Sequence, residues 1–271
     1  YFKEIEMSNC ITTKMVWTAA IAVLVWMPAQ AETLRPFTTE DANTIPKGQV
    51  DISLAFQYQD GYVDPFSNPG LEGDRMEIPD FAVAAGVGDN VELQLSWPLV
   101  NIDNDIHDTY GAGDPQLAAK IRLLEEKDSI PAVGFRMGFK IPSASHDEGL
   151  GTNETDIYGA ILATKHFGKI ATHANIGLAL LGNPDRNLNQ DDVLTYGLAL
   201  TGPVTDKLTV GGEVTGQACS TKYNDRSLAT VGVQYKLEDF VLYGALGTGL
   251  NDRTENLNCL LGVTYQWKLC K

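Results

Sequence analysis

The chain has only one long apolar run, few cysteines and histidines, and too few basic residues to balance its acidic ones. Each shortage excludes something. A single run cannot make a bundle of transmembrane helices, each of which takes about twenty apolar residues. Of the 4 cysteines, Cys219, Cys259 and Cys270 lie beyond that run and form no close pair, so neither a disulfide framework nor a zinc site is expected. Cys259 reads instead as a small apolar residue of a strand. Twenty basic against 35 acidic residues give a net charge of -15, a poor match to nucleic acid. The 4 histidines, His107, His146, His166 and His173, have no serine at a suggestive spacing, so no catalytic constellation is legible. No catalytic residue, metal or cofactor is expected.

The one apolar run has the three parts of a secretory signal. Lys14 precedes the core Met15–Met27, and Pro28-Ala-Gln-Ala31 follows with an Ala-x-Ala ending. Cleavage is expected after Ala31, with Tyr1–Glu6, ahead of Met7, as a non-native leader. Cutting there removes two basic residues (Lys3, Lys14) and two acidic ones (Glu4, Glu6), leaving 18 against 33 and the same net charge. Glu32–Lys47 then follows as an irregular segment with Pro36 and Pro46 and no apolar period.

From about residue 48 to 269 the chain alternates apolar and polar residues. The period predicts strands at about 48–58, 74–87, 90–100, 113–125, 130–141, 154–165, 169–181, 191–202, 205–217, 226–237, 239–250 and 257–269. In the first, Val50, Ile52, Leu54, Phe56 and Tyr58 oppose Asp51, Ser53, Ala55 and Gln57. In the fifth, Val133, Phe135, Met137, Phe139 and Ile141 oppose Gly134, Arg136, Gly138 and Lys140. The sixth and eleventh are ambiguous in phase, and Pro79 predicts a bulge in the second. Short turns such as Gly88-Asp-Asn90, His166-Phe-Gly168 and Glu238-Asp239 alternate with longer connections. An even count of strands with that rhythm predicts an all-β fold, a transmembrane antiparallel up-and-down barrel of about 12 strands. Aromatic girdles are expected from Tyr58 and Trp97 at one rim and Tyr235, Tyr265 and Trp267 at the other. The rival, a soluble sandwich or lipocalin-like barrel, would put too few charges on its water-facing side.

Several stretches carry a family resemblance. Arg35-Pro-Phe-Thr-Thr-Glu-Asp-Ala-Asn-Thr-Ile-Pro-Lys-Gly48 resembles the start of a bacterial outer-membrane family named for the meta pathway of phenol degradation. Gly113-Asp-Pro-Gln-Leu-Ala-Ala-Lys-Ile-Arg-Leu-Leu-Glu-Glu126 resembles its most recognisable block, continuing into Pro131–Pro142 and Gly149–Asp156. Ala163-Thr-Lys165 and His173-Ala-Asn-Ile-Gly177 fit as well. The resemblance implies a signal-bearing outer-membrane barrel that admits small, often aromatic or hydrophobic compounds, and it supplies no catalytic residues. Such barrels commonly end on an aromatic residue. Trp267 fills that place here, but Lys268-Leu-Cys-Lys271 trails it.

Lys120, Arg122, Arg136 and Lys140 fall on the inward face of neighbouring strands, as do Asp51, Glu92, Glu213 and His173. These are the expected lumen-lining residues. Cations in a narrow lumen need partners. They can form a basic ladder for anionic solutes such as aromatic carboxylates, or pair with Asp51, Glu92 and Glu213 and plug the barrel. Glu92 with Arg122 is the pair that strand geometry suggests. Asp103, Asp105 and Asp108 lack the glycine and distal glutamate of a calcium loop and read as solvated. The expected function is a passive outer-membrane channel for small organic compounds. A plugged structural or surface barrel is the alternative, and a barrel enzyme the third reading. Expected partners are outer-membrane lipid and lipopolysaccharide, the barrel assembly machinery and a small solute.

Overall fold

The structure, a computed structural model, describes residues 35–64, 71–184, 190–219 and 225–268. The expected leader, the signal peptide with its cleavage point and the last three residues of the tail lie outside the described residues. Among the described residues thirteen strands follow one another: β1 (Gln49–Val63), β2 (Glu72–Gly86), β3 (Val91–Asn104), β4 (Asp108–Ala112), β5 (Gln116–Leu124), β6 (Ala132–Lys140), β7 (Asp156–Phe167), β8 (Ile170–Gly182), β9 (Gln190–Pro203), β10 (Leu208–Cys219), β11 (Arg226–Leu237), β12 (Phe240–Gly249) and β13 (Leu257–Lys268). Every pairing is antiparallel and joins strands consecutive in the chain, except that β5 pairs with β3 and β1 pairs with β13, so the sheet closes on itself. Closure leaves no edge strand with bare N–H and C=O groups, the condition for crossing a bilayer in strands.

Twelve strand positions make the wall, and one of them is built from two pieces. The sequence pattern draws a strand over 113–125, which the chain forms as β5, but leaves 101–112 as a connection, where the chain instead extends β3 to Asn104 and adds β4; β4 and β5 pair with the upper and lower halves of β3 respectively. The break falls at Gly113-Asp114-Pro115, because Pro115 has no N–H for the ladder and restricts the residue before it. The expected bulge at Pro79 is present as a register shift between Glu77 and Asp80 against both neighbours.

The alternation sorts cleanly by face. Ile176, Leu178, Leu198, Val231 and Leu261 point outward and are each more than half exposed, whereas Leu162, Ala179, Ala199 and Thr264 point inward and are buried. An outward belt this apolar over a buried polar interior is the reverse of a water-soluble barrel. The two ambiguous phases resolve the same way: Tyr158, Ala160 and Leu162 of β7, and Tyr243, Ala245 and Gly247 of β12, take the inward face. Tyr235, Tyr265 and Trp267 stand outward beside the short turns, with the Phe240 and Tyr265 rings 5.0 Å apart. Tyr58 donates to Asp74 nearer the long-loop end.

Where the ladder breaks, aromatic side chains on the outer surface satisfy the freed backbone. Trp97 Nε1 donates to the Gly113 carbonyl at 3.0 Å, and the Tyr110 hydroxyl donates to the Ile78 carbonyl at 3.1 Å. Trp97 thus stitches the wall at mid-strand in addition to any girdle role. Trp97→Phe keeps the ring and removes the donor, and should lower stability by about 1–2 kcal/mol. Urea unfolding in lipid vesicles, followed by heat-modifiable gel migration, reads this; an unchanged midpoint would show that the carbonyl is satisfied otherwise.

Candidate functional site

The irregular segment before β1 lies inside the barrel. Its backbone cannot pair with itself through Pro36 and Pro46, so inward side chains of the wall take up its groups. Glu213 of β10 accepts from the N–H groups of Thr38 and Thr39 at 3.0 and 2.8 Å. Asn175 of β8 accepts from Glu40 N at 2.6 Å and donates to its carbonyl at 2.9 Å, in the manner of a strand partner. Thr164 of β7 accepts from Ala42 N at 3.0 Å, and Glu92 of β3 accepts from Ile45 N at 2.9 Å. Gln234 of β11 donates to the Arg35 carbonyl. The wall makes room with inward glycines: a Cβ at Gly134 would stand 2.8 Å from the Ala42 carbonyl, and one at Gly232 would stand 2.7 Å from the Pro36 ring.

The luminal cations are paired, and the segment supplies the decisive acid. Glu40 reaches Lys120 at 3.2 Å and Arg136 at 3.0 Å, and Lys120 also contacts Glu92 at 3.2 Å. Gln94 closes the network, donating to both Glu40 and Glu92 and accepting from Arg136. The expected Glu92–Arg122 pair does not form. Arg122 sits two residues nearer the rim and turns to Glu125 at 2.8 Å and the Asp89 carbonyl, leaving Glu92 to Lys120. Lys140 belongs to a separate cluster, 2.8 Å from Asp156 and 3.7 Å from Asp114. Asp114 in turn accepts from the N–H groups of Ser143 and Ala144, which holds the loop after β6 against the break in the wall. Arg35, from the segment, faces Asp80 at 3.6 Å.

Of the expected lining residues, Asp51, Glu92, Lys120, Arg136 and Glu213 border one central cavity of about 640 Å³ together with Glu40 and Asn175. Arg122, Lys140 and His173 do not. His173 is 2% exposed between the Thr164 and Thr201 hydroxyls, at 3.0 and 3.3 Å. Thr164 also accepts from Ala42 N, so one hydroxyl joins the imidazole to the backbone of the segment. This imidazole is part of the seat of the segment. Asp51 accepts from Gln49. The alternation of β8 places Asn175 inward beside His173, but Glu40 is not legible as a site residue; the signal available is an acidic pair, Glu40 and Asp41, between two prolines and beside a lumen with more lysine and arginine than its own wall pairs.

Burial raises the Glu40 carboxyl, but the charges of Lys120 and Arg136 and the bonds from Gln94 and Lys120 outweigh it and hold the group at about 2. A carboxyl depressed in the folded state stabilises that state fully above its unfolded value of 4.5 and loses the contribution as pH falls toward 2. The seat should therefore hold through neutral and mildly acidic pH and loosen between about 4.5 and 2. Glu40→Gln should loosen it at neutral pH, with Thr39 and Ala42 amide exchange about tenfold faster or more, since it leaves Lys120 and Arg136 undercompensated. Hydrogen exchange on the folded barrel measures both; equal protection in the two proteins would show that the backbone bonds alone hold the segment.

The fold has counterparts among solved structures. An outer membrane channel from Pseudomonas putida F1 superposes with a TM-score of 0.62 at 17% identity, over 84% of this chain and 98% of that one. The NanC porin gives 0.57 at 11% identity, over 80% and 100%. The translocator domain of autotransporter NalP from Neisseria meningitidis gives 0.53 at 13%, over 97% of each chain. At these identities the likeness is one of fold. No curated protein matches the sequence. The family model described as "Putative MetA-pathway of phenol degradation" matches residues 12–267, which includes both the luminal segment and the whole wall; the chain belongs to that family.

Proposed function

We propose that the protein is an outer-membrane channel through which small organic compounds diffuse, along the space left between the luminal segment and the wall. The observation that carries this reading is the central cavity of about 640 Å³, lined on one side by Thr38–Asp41 and on the other by strands from most of the barrel. Its lining mixes amides and hydroxyls such as Gln57, Gln94, Thr195 and Thr215 with Leu162, Ala245 and Leu260. That surface suits a solute with both a polar group and an apolar body. The partners proposed with it are outer-membrane lipid and lipopolysaccharide at the outer belt, the assembly machinery that inserts the barrel, and the solute itself.

One feature favours a second reading, a barrel plugged for good. The segment's backbone is held at five points by Glu213, Asn175, Thr164, Glu92 and Gln234, more than a loose gate requires. The two readings separate in planar bilayers. A channel conducts above the lipid background, and deletion of Arg35–Lys47 raises the conductance severalfold. If neither protein conducts, the channel reading fails. In the wild-type channel, Arg136→Glu should shift the reversal potential under a salt gradient toward cations, because Arg136 borders the path; an unchanged potential would take it off that path.

A further inference from the structure

With Lys120 and Arg136 neutralised, one luminal cation stands apart. Among the described residues, Arg35, Arg75, Lys120, Arg136 and Lys140 each have a carboxylate within 4 Å. Arg226, at the start of β11, has none, and it lines the central cavity at its long-loop end. Its guanidinium is nevertheless fixed in place. It lies over the Tyr62 ring with 5.2 Å to the centroid and donates to the Val63 carbonyl, reaching past the upper ends of β12 and β13 to β1. The Arg75 guanidinium stacks on the same ring at 5.4 Å but is spent on Glu77 at 2.7 Å. A guanidinium has five donor hydrogens in a planar fork, and among the described residues a single carbonyl takes up only part of that capacity.

We infer that Arg226 is the anchor of a binding site for a small organic carboxylate at the outer end of the luminal cavity. The surroundings fit that ligand class on both sides. Gln217, directly opposite Arg226 in the ladder of β10 and β11, and Thr254 border the cavity beside it and offer neutral polar contacts. Leu228, Ala245 and Leu260 line the same cavity and offer an apolar wall for the body of the ligand. The opposing charge is Glu255, 5% exposed, whose carboxylate accepts from Gln59 at 3.0 Å and Asn258 at 2.8 Å and lies in the field of Arg75. Its presence weakens the capture of an anion, and a site on a diffusion path has to release what it binds. The anion-attracting group is thereby moved from the expected ladder on β5 and β6 to the mouth.

The inference rests on the channel reading for its purpose, and the test keeps the two apart. Benzoate and its uncharged isostere benzamide are titrated calorimetrically into the full-length folded barrel in detergent, with folding checked by heat-modifiable migration, and each protein is also reconstituted in planar bilayers. Wild type should bind benzoate, Arg226→Gln should bind it about tenfold more weakly or worse, and benzamide should bind both alike. Arg226→Lys, which keeps the charge and loses the fork, should fall between them and serves where the glutamine variant fails to fold. Equal benzoate affinity in wild type and variant, or no benzoate binding by wild type, overturns the site even if the protein conducts. Arg226-dependent binding without conductance upholds the site and sinks the channel reading alone.

Discussion

A charge held inside a narrow barrel needs a counter-charge, and most of the interior of this protein follows from how Lys120 and Arg136 obtain theirs. Both project from adjacent strands into the barrel, where Lys120 is buried and an unpaired ammonium or guanidinium costs several kcal/mol. The wall offers Glu92 nearby, one acid for two cations. The second comes from Glu40, carried in by a segment that is not part of the wall. Seating that carboxylate brings its own demand: about ten residues of backbone enter with it, and their N–H groups have to be paired inside. Glu213, Asn175 and Thr164 meet that demand. Charge pairing and backbone pairing are thus one structure, since neither the segment nor the basic pair is stable there alone.

The outer surface obeys the same requirement with other groups. In an apolar surround a ladder can be interrupted only where something replaces the lost hydrogen bonds. Pro79 and Pro115 each interrupt it, and at each break an outward aromatic, Tyr110 or Trp97, supplies a donor without bringing a charge into contact with lipid. On the inner side of the second break Asp114 does the complementary work for Ser143 and Ala144. An indole or phenol can do this because one end is apolar and the other is polar.

The wall was legible because its rule is local. A strand with lipid on one side and a crowded lumen on the other must alternate, so β11 could be bounded from Arg226–Leu237 to the residue, and most other strands to within a few residues. Legibility failed where a contact joined distant parts of the chain. Glu40 is 80 residues from Lys120, and nothing in an aperiodic, proline-flanked stretch says that it turns into the barrel. The expectation of Glu92 with Arg122 failed for a related reason. Alternation places both on the inward face but says nothing about which of Lys120 and Arg122, one turn of the pleat apart, sits at the depth where a partner arrives. The pairing Glu92↔Lys120 in the ladder of β3 and β5 decides it.

Neutralisation of the expected ladder changes where recognition can occur. A cation already held by two carboxylates offers a passing anion little, since each new contact must displace a bonded one. Such residues shape the cavity more than they attract an anion into it. Selectivity then belongs to groups whose capacity is left over after the fold has been satisfied. The Tyr62 ring and the Val63 carbonyl fix Arg226 through its face and one edge, which orients the guanidinium without consuming its charge. A fold that spends its basic residues on holding a segment in place can keep one in reserve only at a position that the segment does not reach, and the mouth above it is such a position.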